Sequence, residues 1–139
     1  MAGKNDTIGG GGFHHVAIKV ADFEGAVRFY TEALGFKEKI AWGEGDKRAV
    51  MLDAGDGNYM EIFAGGTKDA KAEGSIIHFA LRTRDCDAAL NRARAAGAVV
   101  TMEPKSLDIQ SRPHPTPVRI AFCKGPAGEV IEFFQNELT

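Results

Sequence analysis

The chain has 139 residues, 44% hydrophobic and 26% charged, with a formal net charge of −2. That length supports one domain with a real core, and a near-neutral balance argues against a nucleic-acid binder, which carries a basic stripe. No apolar run approaches the roughly 18 residues of a membrane-crossing helix, and the opening MAGKNDTIGGGG lacks the apolar core of a secretory signal.

In chain order, residues 1–12 read as a flexible N-terminal segment, with four consecutive glycines. HHVAIKV then alternates like a strand, and Asp22 is a natural helix N-cap. Phe23, Ala26, Val27, Tyr30, Ala33 and Leu34 fall on one face of the helix that follows, which closes near Gly35. EKIAW around Ile40 is a weaker strand. RAVML and GNYMEIF form a hairpin in which Gly57 precedes Glu61 by four residues.

The chain then repeats itself. His78 opens HFALRT, and Asp85 follows it by seven residues, as Asp22 follows His15. A second helix carries Ala89, Leu90, Ala93 and Ala96 and ends near Gly97. A strand follows near Val100. EPKSLDIQSRPHPTP, with four prolines, reads as a long lid or binding loop. VRIAF and GEVIEFF close the chain, with Gly128 four residues before Glu132. The class is therefore α+β: two βαβββ modules, 13–66 and 75–136, in a single domain 13–139. Cys86 and Cys123 make neither a disulfide framework nor a zinc knuckle. Reduced thiols in a cytoplasmic protein are the simplest reading.

Strand parity selects the chemistry. Adjacent side chains point to opposite faces. His14 shares a face with Val16, Ile18 and Val20, which should pack under the helix; His15 takes the other face. By the same count His78 opposes Ile77 and Phe79, Glu61 opposes Met60 and Ile62, and Glu132 opposes Ile131 and Phe133. Tyr59 and Phe63 flank Glu61, and Val130 and Phe134 flank Glu132, so both carboxylates look into an apolar-lined concavity. A buried charge needs a partner. Two imidazoles and two carboxylates suit a divalent first-row ion, Ni, Co, Zn, Mn or Fe, with positions left for water or substrate.

These motifs resemble the vicinal oxygen chelate superfamily, which includes glyoxalase I, methylmalonyl-CoA epimerase, extradiol dioxygenases, and fosfomycin- and bleomycin-resistance proteins. HHVAIKVADFEGAVRFYTEALGF, GNYMEIF, IHFAL and IAFCKGPAGEVIEFF carry the resemblance from Phe13 to Gln135. It implies a curved, mostly antiparallel open sheet around a metal-binding cleft, with His15, Glu61, His78 and Glu132 as ligands. The His/Glu/His/Glu set is similar to that of glyoxalase I, where epimerases carry Gln at the position of Glu61. The implied activity is that of a lactoylglutathione-lyase-like metalloenzyme: a lyase or isomerase that abstracts a proton with a metal-stabilised enediolate, Glu132 as base and Glu61 as partner or alternative. The substrate is a small oxygenated molecule such as a glutathione hemithioacetal. Another metalloenzyme on the same scaffold, or a non-catalytic binding protein, is the competing expectation. Lys19 and Arg82, each four residues beyond a ligand histidine, and His114 in the proline-rich loop are the substrate-binding candidates. Bacterial glyoxalase I carries Arg where Lys19 stands and Asn where Gly65 stands, so the glutathione contacts differ here. The resemblance also implies a homodimer, with no nucleic-acid or membrane partner.

Overall fold

The computed structural model describes residues 4–33, 35–68, 75–125 and 130–139. Leu34 and the side chain of Ala33, both expected on the buried helix face, lie outside the described residues. So do residues 1–3 of the N-terminal segment, and Gly128 with the turn of the second hairpin. Among the described residues the order is β1 (Gly10–Lys19), α1 (Phe23–Arg28), β2 (Lys37–Trp42), β3 (Ala49–Gly55), β4 (Asn58–Phe63), β5 (Ile76–Thr83), α2 (Cys86–Ala95), β6 (Val99–Ile109), β7 (Thr116–Lys124) and β8 (Val130–Gln135). This is the α+β pattern of two βαβββ modules. No helix among the described residues is long and apolar enough to cross a membrane.

Both helices start as their sequence predicts. The Asp22 carboxylate accepts from the Gly25 amide at 3.0 Å, and the Asp85 carboxylate accepts from the Ala88 amide at 3.0 Å. Each cap satisfies an amide that the first helical turn would leave open. α1 continues into a π-helical turn, Phe29–Ala33.

The chain forms two compact units. One takes in the chain up to His14, His78–Asp108 and Thr116–Thr139; the other is His15–Ile77 with Ile109–Pro115. In the second of these the strand order is β2-β3-β4-β1, with β1 parallel to β4 and the other pairs antiparallel. Val50, Leu52 and Ile62 pack there with Ile18 and Val20 of β1 and with Phe23, Ala26, Val27 and Tyr30. In the other unit the order is β5-β8-β7-β6, with β5 parallel to β8. Its core joins Cys86, Ala89 and Leu90 of α2 to Ala121, Cys123 and Phe133. Of the apolar stripes expected on the two helices, Phe23, Ala26, Val27 and Tyr30 of the first and Ala89, Leu90 and Ala93 of the second are packed.

Four boundaries differ from expectation. β1 starts at Gly10, three residues before Phe13. Ala96 is exposed, because α2 ends at Ala95 and Ala96 serves as its C-cap. The proline-rich loop is shorter than it reads: Glu103–Ile109 belong to β6. Pro104 looks like a breaker, but β6 is the outer strand of its sheet, where a missing N–H is tolerated.

The fourth concerns His14. Its ring is buried, but it stacks on Phe134 with centroids 4.2 Å apart, and its Nε2 lies 2.5 Å from the Thr139 hydroxyl. Phe134 lies two residues along β8 from Glu132, on the same face. Simple alternation counted back from Val20 does not carry through to His14. That half of β1 follows four glycines at positive φ and belongs with the other unit.

Candidate metal centre

β1 and β4 run parallel with Ala17 opposite Glu61. Two residues before Ala17, on the same face, His15 reaches diagonally across, and its Nε2 lies 2.7 Å from Glu61 Oε2. Glu61 is buried: Met51 is its register partner on β3, and Tyr59 packs with Ile40, Met51 and Trp42 on this face. Trp42 meets Phe63 edge-on with centroids 6.0 Å apart. The sequence-predicted apolar surround of Glu61 is therefore present.

β5 and β8 repeat the arrangement. Ala80 stands opposite Glu132, His78 precedes Ala80 by two residues, and His78 Nε2 lies 2.9 Å from Glu132 Oε2. Phe122 is the register partner of Glu132 on β7 and meets the His78 ring edge-on at 5.4 Å, fixing the plane of the imidazole.

Ala17 and Ala80 were not singled out from sequence, and each has a clear task. Both are fully buried, and a methyl group there leaves room for a carboxylate to cross to the histidine on the neighbouring strand. The signal was in the repeat, which reads HVA once and HFA once.

Each pair can serve as two ligands of one ion. Two donors about 2.1 Å from a divalent ion and at right angles to each other are about 3 Å apart, close to the 2.7 and 2.9 Å observed. His offers a ring nitrogen and Glu a carboxylate oxygen, a mixed set that suits the first-row metals. Each pair alone supplies half of the four donors.

The other candidates are placed differently. Lys19 is exposed on the His15 face. Gly65, near it, has φ +84°, and a Cβ there would lie 2.9 Å from the Asp46 carbonyl oxygen. The backbone itself thus favours glycine where bacterial glyoxalase I carries Asn. Arg82 donates to the Thr139 carbonyl at 2.7 Å, and Asn136 Oδ1 accepts from the Thr139 amide at 2.7 Å. His114 is exposed, with Nδ1 3.3 Å from the Pro115 carbonyl oxygen. Both cysteines are buried in free thiol form. Burial, helped by Asp87, pushes the Cys86 thiol up to about 12, so it is neither nucleophile nor ligand at neutral pH.

Known proteins share this fold and sequence pattern. A Bacillus subtilis protein described as uncharacterized, YwbC, is 33% identical over 126 residues, covering 88% of this chain and 95% of that one. A probable lactoylglutathione lyase of Vibrio cholerae is 29% identical over 129 residues, covering 88% and 89%. The crystal structure of methylmalonyl-CoA epimerase from Mycobacterium tuberculosis superposes with a TM-score of 0.70 at 25% identity, covering 91% of this chain and 88% of that one. The family described as Glyoxalase/Bleomycin resistance protein/Dioxygenase superfamily matches residues 12–133, and this chain belongs to it.

Proposed function

We propose that this protein is a metal-dependent lyase or isomerase of the glyoxalase I type, acting on a small oxygenated substrate. The observation that carries the reading is the twice-built pair: one imidazole and one carboxylate within 2.9 Å, on equivalent strands of both modules. His15, Glu61, His78 and Glu132 would together hold one divalent ion, Ni, Co, Zn, Mn or Fe. What such an ion supplies is Lewis acidity toward substrate oxygens that gain negative charge. Around it, His15 and His78 act as neutral ligands, held in place by burial and by the Phe122 edge. Glu132 takes the proton from the carbon next to the substrate carbonyl or hydroxyl, with Glu61 as its counterpart. The apolar neighbours of both carboxylates exclude water from that transfer. Lys19, Arg82 and His114 are the groups proposed to meet the rest of the substrate, Arg82 by exchanging its contact with Thr139 for an anionic group. A homodimeric, cytoplasmic protein completes the reading, supported by the family resemblance and by two reduced, buried thiols.

An epimerase is the second reading, favoured by the fold similarity to the mycobacterial enzyme. Glu61 weighs against it, since epimerases carry Gln there. The deciding experiment is metal analysis of the purified protein, reconstitution with each ion, and assay with methylglyoxal plus glutathione beside methylmalonyl-CoA. Metal-dependent turnover of the hemithioacetal is the expected result. Turnover of the thioester alone establishes the epimerase, and failure to bind any divalent ion ends both readings.

A further inference from the structure

We propose that the unit containing α1 carries a second binding pocket, on the sheet face opposite Glu61, that takes a short-chain carboxylate. A cavity of about 270 Å³ lies between α1 and the β2–β3 hairpin. Phe23 and Val27 of α1 face Ala41 and Val50 of the sheet across it, and its charged groups are Arg48, Arg112 and Glu38. Val50 and Ala41 belong to the helix-packed cluster, whereas Met51, the register partner of Glu61, belongs to the opposite one. A ligand here would therefore not meet Glu61.

Two guanidiniums are set for an anion. The Arg48 guanidinium lies over the Phe23 ring, 4.7 Å from its centroid. Among the described residues its ion pair is with Glu24, long at 3.3 Å and exposed. Arg48 Nε is buried with no hydrogen-bond partner among the described residues. A buried N–H donor left open costs free energy, and native proteins rarely leave one, so a ligand oxygen has a place waiting. Arg112 is fixed at its backbone: its amide donates to the Ala41 carbonyl at 2.7 Å and its carbonyl accepts from the Ala41 amide at 3.1 Å. Its exposed guanidinium meets no carboxylate among the described residues. The Gly43 turn leads the chain from Ala41 back toward Arg48. It has φ +73°, and a Cβ there would strike the Lys47 carbonyl oxygen at 2.2 Å.

The charge balance selects the ligand class. The cavity lining itself carries two guanidiniums against Glu38, a net of one positive charge, which suits a monoanion better than a dianion; Glu24, paired with Arg48 from outside the lining, works further against a doubly charged ligand. A carboxylate matches the guanidinium fork, and the apolar walls reward a hydrocarbon stem.

The test is calorimetric titration of the full-length protein with acetate, propionate, butyrate and hexanoate at constant ionic strength. Affinity should rise roughly three- to fourfold per methylene until the cavity is full. Arg112→Ala should weaken hexanoate binding about tenfold or more, and Glu38→Gln should tighten it. Both positions are exposed, so these variants should fold even where Arg48→Lys does not. Glu132→Gln should leave hexanoate binding unchanged. Affinity independent of chain length overturns the proposal, as does inorganic phosphate binding as tightly as hexanoate. Binding that survives Arg112→Ala but is lost in Glu132→Gln assigns the carboxylate to the candidate metal centre and also overturns it.

Discussion

In the pair on β1 and β4 the imidazole is the more enclosed partner: the His15 side chain is 1% exposed and that of Glu61 9%. On β5 and β8 the order reverses, with His78 at 11% and Glu132 at 5%. The diagonal is the same in both, set by an alanine opposite each glutamate. Only the backing differs: a packed group of Ile40, Met51 and Tyr59 behind one pair, the edge of a single Phe122 ring against the other. The repeat fixes where the donors go; the neighbouring strands decide which of them stays reachable. On the proposed reading, Glu132 is the base and Glu61 mainly a ligand, and that division is what the variants below test.

The largest effect should come from breaking that division of labour. Glu132→Gln is expected to lower kcat about 10²–10⁴-fold, and Glu61→Gln to act mainly on metal affinity. Steady-state kinetics beside metal titration separates the two, and the reverse ranking assigns the base to Glu61. Next is the stabilisation that the metal itself provides. An ion at about 100 times its Kd adds about 2.7 kcal/mol, which calorimetry should read as a Tm several degrees higher with metal than with chelator. Replacing either glutamate should shrink that gap.

Filling the diagonal probes the symmetry. Ala17→Leu and Ala80→Leu should each cost about 1–3 kcal/mol through overpacking and abolish metal binding, as measured by denaturant unfolding and metal analysis. If only one of them does so, the two pairs do not share a single ion. The smallest effect lies at the first residue of each helix, Phe23 in one module and Cys86 in the other. The Cys86 thiol ionises near pH 12 when folded and near its ordinary value of 9.0 when unfolded. Its contribution is thus complete below pH 9 and is lost as pH rises toward 12. Cys86→Ala should flatten the fall in stability over that alkaline range.

Much of this was legible in the sequence because period and spacing are local. The seven-residue interval from His15 to Asp22 and from His78 to Asp85 located both strand–helix joins, and parity put His15, Ile18 and Met60 on the faces they occupy. What could not be read was tertiary. Whether Pro104 breaks a strand depends on that strand being outermost. The place of His14 depends on four glycines at positive φ and on Phe134, 120 residues away in the chain. The link from Arg82 to Thr139 needs a fold-back at Asn136 that leaves no periodic trace. The alanines at the centre of both pairs were visible as letters, and only register gave them meaning.

Pro104 has one more consequence. The edge strand in each unit is guarded chemically: β6 has Pro104 followed by Lys105, and β2 opens with Lys37, Glu38 and Lys39, all three exposed. A second chain seeking to extend β6 would find a missing donor, and at β2 it would meet a run of mixed charge. Both edges are thus poor templates for strand addition by another chain.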